Sequence, residues 1–191
     1  MDLVLAARPL GEMACARWAR MRPSAPPSGP RRATIDAYVE QARARPGETP
    51  QAVFDRVRSR ILGYDIFPPR LVRFVICPGG PAQVGAVIVQ RLRLGPLACE
   101  MAVRVIDVWD TRADGVAEAG FQYVTLRGHP ECGIASFGAR LEPSGTVTVR
   151  IDVRSRPGLL LTQMGRPVAR RAQQRLTRAA LARLCRPAGP G

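Results

Sequence analysis

The chain has 191 residues, 46% of them apolar and 23% charged, the balance of one globular domain rather than of a disordered or fibrous chain. No apolar run approaches the ~20 residues that cross a bilayer as a helix, and five thinly spread cysteines, an odd number, exclude a disulfide-dense scaffold. All 29 basic residues are arginine, the net charge is +14, and lysine and asparagine are absent. Arginine, alanine, glycine and proline are spelled by G/C-rich codons, so the bias reads as that of a GC-rich, bacterial genome. The charge is +5 over residues 1–60, zero over 61–153 and +9 over 154–191, where nine arginines meet no acid. A focused positive end attracts nucleic acid, anionic lipid or an acidic partner; the competing reading is a solvated arginine face. No RNP motif, zinc-finger spacing or helix-turn-helix glycine pattern accompanies it.

Along the chain, Met1–Ala7 has too short an apolar stretch for a signal peptide and reads as a strand, so a cytoplasmic location is expected. The expected organisation is an N-terminal extension over 1–21, a flexible Pro/Ser/Gly-rich link over 22–32, one α+β domain over 33–185 and a tail over 186–191. Thr34–Ala44 reads as a short helix with Ile35, Tyr38 and Val39 on one face. A second helix opens at Thr49 as N-cap and Pro50 at N1, carries Val53, Phe54, Val57 and Ile61 at helical spacing, and stops at Gly63. Pro68 and Pro69 force Tyr64–Pro69 to be extended.

Strand patterns follow at Leu71–Cys77, Val84–Leu94, Cys99–Trp109, Ala119–Arg127, Ile134–Glu142 and Thr146–Arg154, with Gly95-Pro96 as a hairpin turn. The last alternates cleanly, with Val147, Val149, Ile151 and Val153 on one face. Pro157 is placed to start a helix that Gly165-Arg166-Pro167 interrupts and that resumes from Pro167 to Cys185. Its inward stripe runs Leu161, Met164, Val168, Ala172, Leu176, Ala180 and Leu184. The expected fold is α+β: a curved antiparallel sheet of about six or seven strands, two short helices and a long C-terminal helix packed across it, the helix-grip arrangement. That arrangement leaves room for a cavity between sheet and helix.

The stretch Phe121-Gln-Tyr123-Val-Thr125-Leu126-Arg-Gly128-His129-Pro130-Glu131-Cys-Gly133, closing at Phe137, resembles the bacterial and plant family catalogued as the nineteen-ninety domain of unknown function. Its pattern runs F-x-Y-x-T-L-x-G-H-x-E-x-G-E-E-x-F, then S-R-P and P-x-x-R-x-x-Q, here Ser155-Arg156-Pro157 and Pro167, Arg170 and Gln173. The resemblance covers residues 45–185 and implies a fold similar to the helix-grip, START/Bet v 1-like ligand-binding proteins. It assigns no reaction. Where the family carries paired glutamates, this chain has Ile134 and Ala135.

His129 is the sole histidine, in a turn beside Glu131 and Cys132. It can be an acid/base group, a metal ligand, a cavity contact or a turn residue bonded to a backbone carbonyl. Cys15, Cys77, Cys99 and Cys185 show no metal-ligand spacing with it, so no metal or other cofactor is expected. Cys132 reads as a small buried thiol. Tyr123 and Thr125 share a strand face that is either the cavity wall or a wet surface. Arg156, read at a strand–helix junction, suits a carboxylate or phosphate, or pairs with Asp152. Gln173 faces the cavity or packs on the sheet, and Tyr64, Phe67 and Trp109 read as isolated aromatics.

Three functions follow. The first is a non-enzymatic binder of a small, mostly apolar molecule, using Tyr123, Thr125, His129, Glu131, Arg156 and Gln173. The second is a protein that docks on anionic membrane or nucleic acid through Arg166, Arg170, Arg171, Arg175 and Arg178. The third is a cyclase-like or hydrolytic enzyme using His129 with Glu131.

Overall fold

The computed structural model describes residues 2–5, 10–24, 34–94, 96–158 and 166–187. Eight strands and three helices are described: β1 (Asp2–Leu5), α1 (Glu12–Ala19), β2 (Thr34–Gln41), α2 (Pro50–Leu62), β3 (Val72–Cys77), β4 (Val87–Leu94), β5 (Leu97–Ala113), β6 (Val116–Thr125), β7 (Glu131–Leu141), β8 (Val147–Pro157) and α3 (Arg166–Cys185). All strand pairings are antiparallel, in the order β2-β8-β7-β6-β5-β4-β3. β5 is long enough to serve two neighbours on one side. Its Leu97–Glu100 segment pairs with β1, and Val103 onward pairs with β6. Between Val105 and Asp107 the register slips by one residue, and such a bulge bends and twists the strand.

The curved sheet has two covered faces. The concave face carries Ile88, Val103, Val105, Phe121, Phe137, Val149 and Ile151 in the main core. Onto it α2 lays Val53, Phe54, Val57 and Ile61, all buried. The helix starts where expected, with the Thr49 hydroxyl accepting the Ala52 N–H at 3.2 Å. On the convex face α1 packs through Trp18 onto Val87, Val89, Ala102 and Leu126.

Under α1 sits the buried carboxylate of Glu100, 2% exposed. It accepts from Trp18 Nε1 at 3.0 Å and from the guanidinium groups of Arg91 and Arg17. Burial works to raise its pKa, but these three partners outweigh burial and hold it below the usual carboxylate range. A disulfide between Cys15 and Cys77 ties α1 to β3 across 62 residues of sequence. The odd cysteine count hid this single bridge. Disulfides are rare in the cytoplasm, so the cytoplasmic expectation is carried no further. No described helix is long and apolar enough to cross a membrane.

Three expected elements differ. Tyr64–Phe67 is not extended but turns back on the end of α2: Tyr64 has a φ of 58°, and the N–H groups of Tyr64 and Asp65 donate to Ile61 O at 3.0 Å and Arg60 O at 2.8 Å, so the two prolines exclude helix without imposing an extended chain before them. Thr34–Ala44 is not a helix: Thr34–Gln41 forms β2, paired residue for residue with β8 from Thr34↔Ser155 to Gln41↔Thr148. The alternation that decides it puts Ile35, Ala37 and Val39 on the exposed face and Asp36 and Tyr38 on the other. The second short helix of the fold is α1 instead. The helix expected from Pro157 does not start there either, because β8 continues through Pro157 against Glu131; residues 159–165 lie outside the described residues, and with them Leu161 and Met164 of the inward stripe. The flexible link likewise lies outside them from residue 25. Before it, the Ser24 N–H donates to Thr125 O at 2.7 Å and the Arg127 N–H to Arg22 O at 2.9 Å.

Trp109, Gly120 and Gly138 are neighbours across β5, β6 and β7. A Cβ on Gly120 would collide with the Trp109 ring and with the Phe137 carbonyl. Gly120→Ala is therefore expected to cost about 1–3 kcal/mol, a drop of several degrees in Tm by calorimetry. An unchanged Tm would show that the ring does not need the bare backbone.

Candidate functional site

The site is built by unequal fastening of α3. Among its described side chains, the buried ones, Thr177, Ala180, Leu181, Leu184 and Cys185, all lie in the C-terminal half. There Arg60 Nη1 donates to the last-turn carbonyls of Arg183 and Arg186 at 2.7 and 3.2 Å, a cation satisfying free acceptors at the negative helix end. Arg183 Nη2 donates to Asp65 at 2.6 Å, and the Arg43 N–H donates to Cys185 O at 2.8 Å. Further toward the N-terminus two contacts reach the sheet: Arg170 pairs with Asp36 at 3.2 Å, and Gln173 Nε2 donates to Ser155 Oγ at 3.1 Å.

Between this segment and the concave face lies a cavity of about 540 Å³. Its wall is mostly apolar, with Leu71, Val72, Leu92 and Met101 from the β3–β5 side and Ile134, Ala135 and Val153 from β7 and β8. Phe67, Tyr123 and Phe137 line it too, as part of a larger aromatic cluster. Tyr64 and Phe67, expected to be isolated, both belong to that cluster; Tyr64 lies 5.1 Å from Phe74 and Phe67 lies 6.3 Å from Phe137, centroid to centroid. The helix contributes Ala172, Gln173, Leu176 and Thr177, with Arg175 at the rim.

Tyr123, Thr125, His129, Glu131 and Gln173, all proposed from sequence, line this one cavity. Their chemistry differs. The Thr125 hydroxyl accepts the Gly133 N–H at 3.0 Å and donates to the Gly133 carbonyl at 3.3 Å, so it clips β6 to β7. Burial pushes the Tyr123 phenol up to about 12, although the Tyr64 hydroxyl favours its ionised form; Tyr64 itself is fully buried and raised as well. His129 Nδ1 lies 3.0 Å from the Glu131 amide nitrogen and 2.9 Å from the Glu131 carbonyl. In either tautomer the Glu131 backbone engages Nδ1, which leaves Nε2 as the other ring nitrogen. Burial pushes the imidazole down to about 4, beyond what its Glu131 hydrogen bond restores.

Arg156 is not among the cavity residues. It lies inside β8 opposite Cys132, and because Ser155 faces the cavity, strand parity turns Arg156 to the other face. The five helix arginines do not act as one surface. Arg170 is paired with Asp36, Arg175 sits at the cavity rim, and Arg171 and Arg178 are exposed; the Arg166 side chain lies outside the described residues. The carboxylate of Asp110 is engaged by Arg58, which holds it below its ordinary value. Among the described residues, no group of three or more His, Cys, Asp or Glu side chains is placed to hold a metal ion.

Three polar cavity residues were not anticipated: Ser155, Gln90 and Thr177, the last a helix residue whose hydroxyl donates to the Gln173 carbonyl at 3.0 Å. Ser155 was hidden by the misplaced helix start. Gln90 was legible: it ends the apolar run Val87-Ile88-Val89, and alternation puts it on the inward face with Ile88.

The family pattern described as domain of unknown function (DUF1990) matches residues 15–183, and the chain belongs to that family. No curated protein sequence matches the chain. Among solved structures it is similar to Ara h 8.0201, at 11% identity over 80% of this chain and 97% of that one, with a TM-score of 0.44. It is similar to the major latex-like protein 151 of Panax ginseng, at 12% identity over 82% and 99%, with a TM-score of 0.44. It is also similar to norcoclaurine synthase from Thalictrum flavum, in complex with dopamine and hydroxybenzaldehyde, at 9% identity over 80% and 86%, with a TM-score of 0.45.

The depressed imidazole makes a pH prediction. The unfolded chain takes up the His129 proton near 6.5 and the folded chain only near 4. The contribution of neutral His129 is thus complete above 6.5 and is lost as pH falls toward 4, at about 1.4 kcal/mol per pH unit inside that window. Urea midpoints measured at pH 7 and pH 5 are expected to separate in the parent protein and to converge in His129→Gln. Glu48, held at about 2 by Arg56, acts only below its ordinary 4.5 and leaves this comparison intact. Equal slopes for the two proteins would refute a half-buried histidine held neutral in the fold.

Proposed function

We propose that this protein binds a small, mostly apolar molecule in the space between the concave sheet face and α3. The observation that carries the reading is the cavity itself: about 540 Å³, walled by aliphatic and aromatic side chains with a few polar groups among them. Small-molecule sites have this size and composition.

Binding is favoured over acid/base turnover because the polar groups are either committed or far from neutral. Thr125 is bonded to Gly133, the Tyr123 phenol is pushed up to about 12, and the His129 imidazole is pushed down to about 4. General acid/base catalysis wants a group that titrates near working pH.

A second reading rests on Arg171, Arg175 and Arg178. They fall within about 60° of one another around α3, are exposed, and pair with no carboxylate among the described residues. An anionic membrane or nucleic acid would meet them there. Such binding would weaken steeply as salt rises, whereas filling an apolar cavity would respond little.

The direct test is a fluorescence titration with 1-anilinonaphthalene-8-sulfonate at two salt concentrations. Saturable binding that survives high salt is expected, and Leu176→Trp, which fills the cavity from its helix side, is expected to weaken it about tenfold, or roughly 1.4 kcal/mol, with Tm unchanged. Binding that ignores the filled cavity would reject the reading.

A further inference from the structure

Gln90 stands on the inward face of β4, where Ile88 is its buried neighbour two residues before and Met101 its partner on β5. It is 6% exposed and lines the cavity among Val72, Leu92 and Met101. Its Nε2 is buried and has no hydrogen-bond partner. The other polar side chains of the wall whose bonds are defined are engaged: Thr125 with Gly133, Gln173 with Ser155, and Thr177 with the Gln173 carbonyl. A buried amide donor without a partner is costly, and native interiors satisfy nearly all such groups. The unmet donor therefore marks where the cavity's occupant supplies an oxygen.

The charge around that donor decides which kind of oxygen. The charged side chains of the wall are Arg175, exposed at the rim on α3, and Glu131, at the start of β7. Arg91 is next to Gln90 in sequence, but strand parity turns it to the convex face, where it holds Glu100. The inward neighbours of Gln90 on β4 and β5, namely Ile88, Leu92 and Met101, carry no charge, and the cavity's arginine, Arg175, is exposed at the rim, so an ionised carboxylate buried beside Gln90 would be poorly compensated. Resting on the binding function proposed above, we infer that the ligand is an apolar molecule bearing a neutral acceptor oxygen, of the ketone or ester kind, which accepts a hydrogen bond from Gln90 Nε2. Gln90 is then the specificity-determining residue of the cavity.

The test uses three probes of one chain length: a twelve-carbon methyl ketone, dodecane and dodecanoate. Each is titrated by displacement of the fluorescent sulfonate from the full chain and from Gln90→Met, which keeps length and removes the donor. The parent protein is expected to prefer the ketone to the alkane, and Gln90→Met is expected to weaken the ketone about tenfold while leaving the alkane unchanged. Equal ketone affinity in the two proteins would overturn the inference while leaving the cavity reading standing. Preference for dodecanoate, lost in Arg175→Gln and kept in Gln90→Met, would also overturn it and place the ligand's polar end at the rim. Failure of every probe to displace the sulfonate would instead defeat the cavity reading. Circular dichroism melts of Gln90→Met, which removes an unmet buried donor, should show a fold at least as stable as the parent.

Discussion

α3 is packed into the core at its C-terminal end and joined to the sheet by polar side-chain contacts nearer its N-terminus, and the cavity follows from that asymmetry. Its last three turns bring Ala180, Leu181, Leu184 and Cys185 into the core, while Arg60 and Arg43 bond carbonyls of its final turn and the residue after it. A helix of 20 residues is about 30 Å of straight rod. The sheet beneath it is curved, with a bulge in β5 between Val105 and Asp107. A straight rod packed against a concave surface at one end, and reached further along only by the side chains of Arg170 and Gln173, spans the hollow beneath it. Ala172, Gln173 and Leu176 consequently line a cavity instead of packing against β6 and β7. The apolar character of the space is therefore a property of sheet residues that would otherwise be core.

The convex face supports this geometry. α1 covers β3, β4 and β5 with Trp18, and the bridge from Cys15 to Cys77 fixes the cover in place. Closing a loop of that length restricts the unfolded chain by about 4 kcal/mol in the chain-entropy description. Glu100 beneath α1 is a buried carboxylate whose two arginines come from different elements, Arg17 on α1 and Arg91 on β4. Removing one member of such a group leaves a buried charge uncompensated and costs several kcal/mol. The polar cluster thus specifies where α1 sits, and the apolar contacts supply the affinity.

Periodicity made much of this fold legible. The period-two run from Val147 to Val153 and the capped helix opened by Thr49 and Pro50 both form where local chemistry puts them. Where local patterns were ambiguous, tertiary pairing decided. Ile35, Tyr38 and Val39 fit a helix face as well as a strand, and only the open edge of β8 makes Thr34–Gln41 a strand. Pro157 can begin a helix, but β7 holds it as the last residue of β8, and this moves Arg156 away from the cavity. The site residues of β6 and its following turn were readable because a specific motif carries them; Ser155 depended on strand parity that the misplaced helix start concealed. The Cys15–Cys77 pairing has no local signature, since it depends on α1 folding back over the convex face.

The cavity also explains why its polar residues have the properties they do. The same burial that makes room for an apolar molecule keeps His129 neutral and Tyr123 protonated, so these two wall residues offer hydrogen bonds without charge. The most direct measurement is methyl NMR of the protein under xenon pressure, since xenon enters accessible apolar cavities and needs no knowledge of the natural ligand. If the space between sheet and helix binds apolar matter, the methyl signals of Met101, Val153 and Leu176 shift with pressure while those of Val87 and Val89 on the convex face stay put. Shifts confined to the surface, or none at these three residues, would contradict a binding cavity beneath α3.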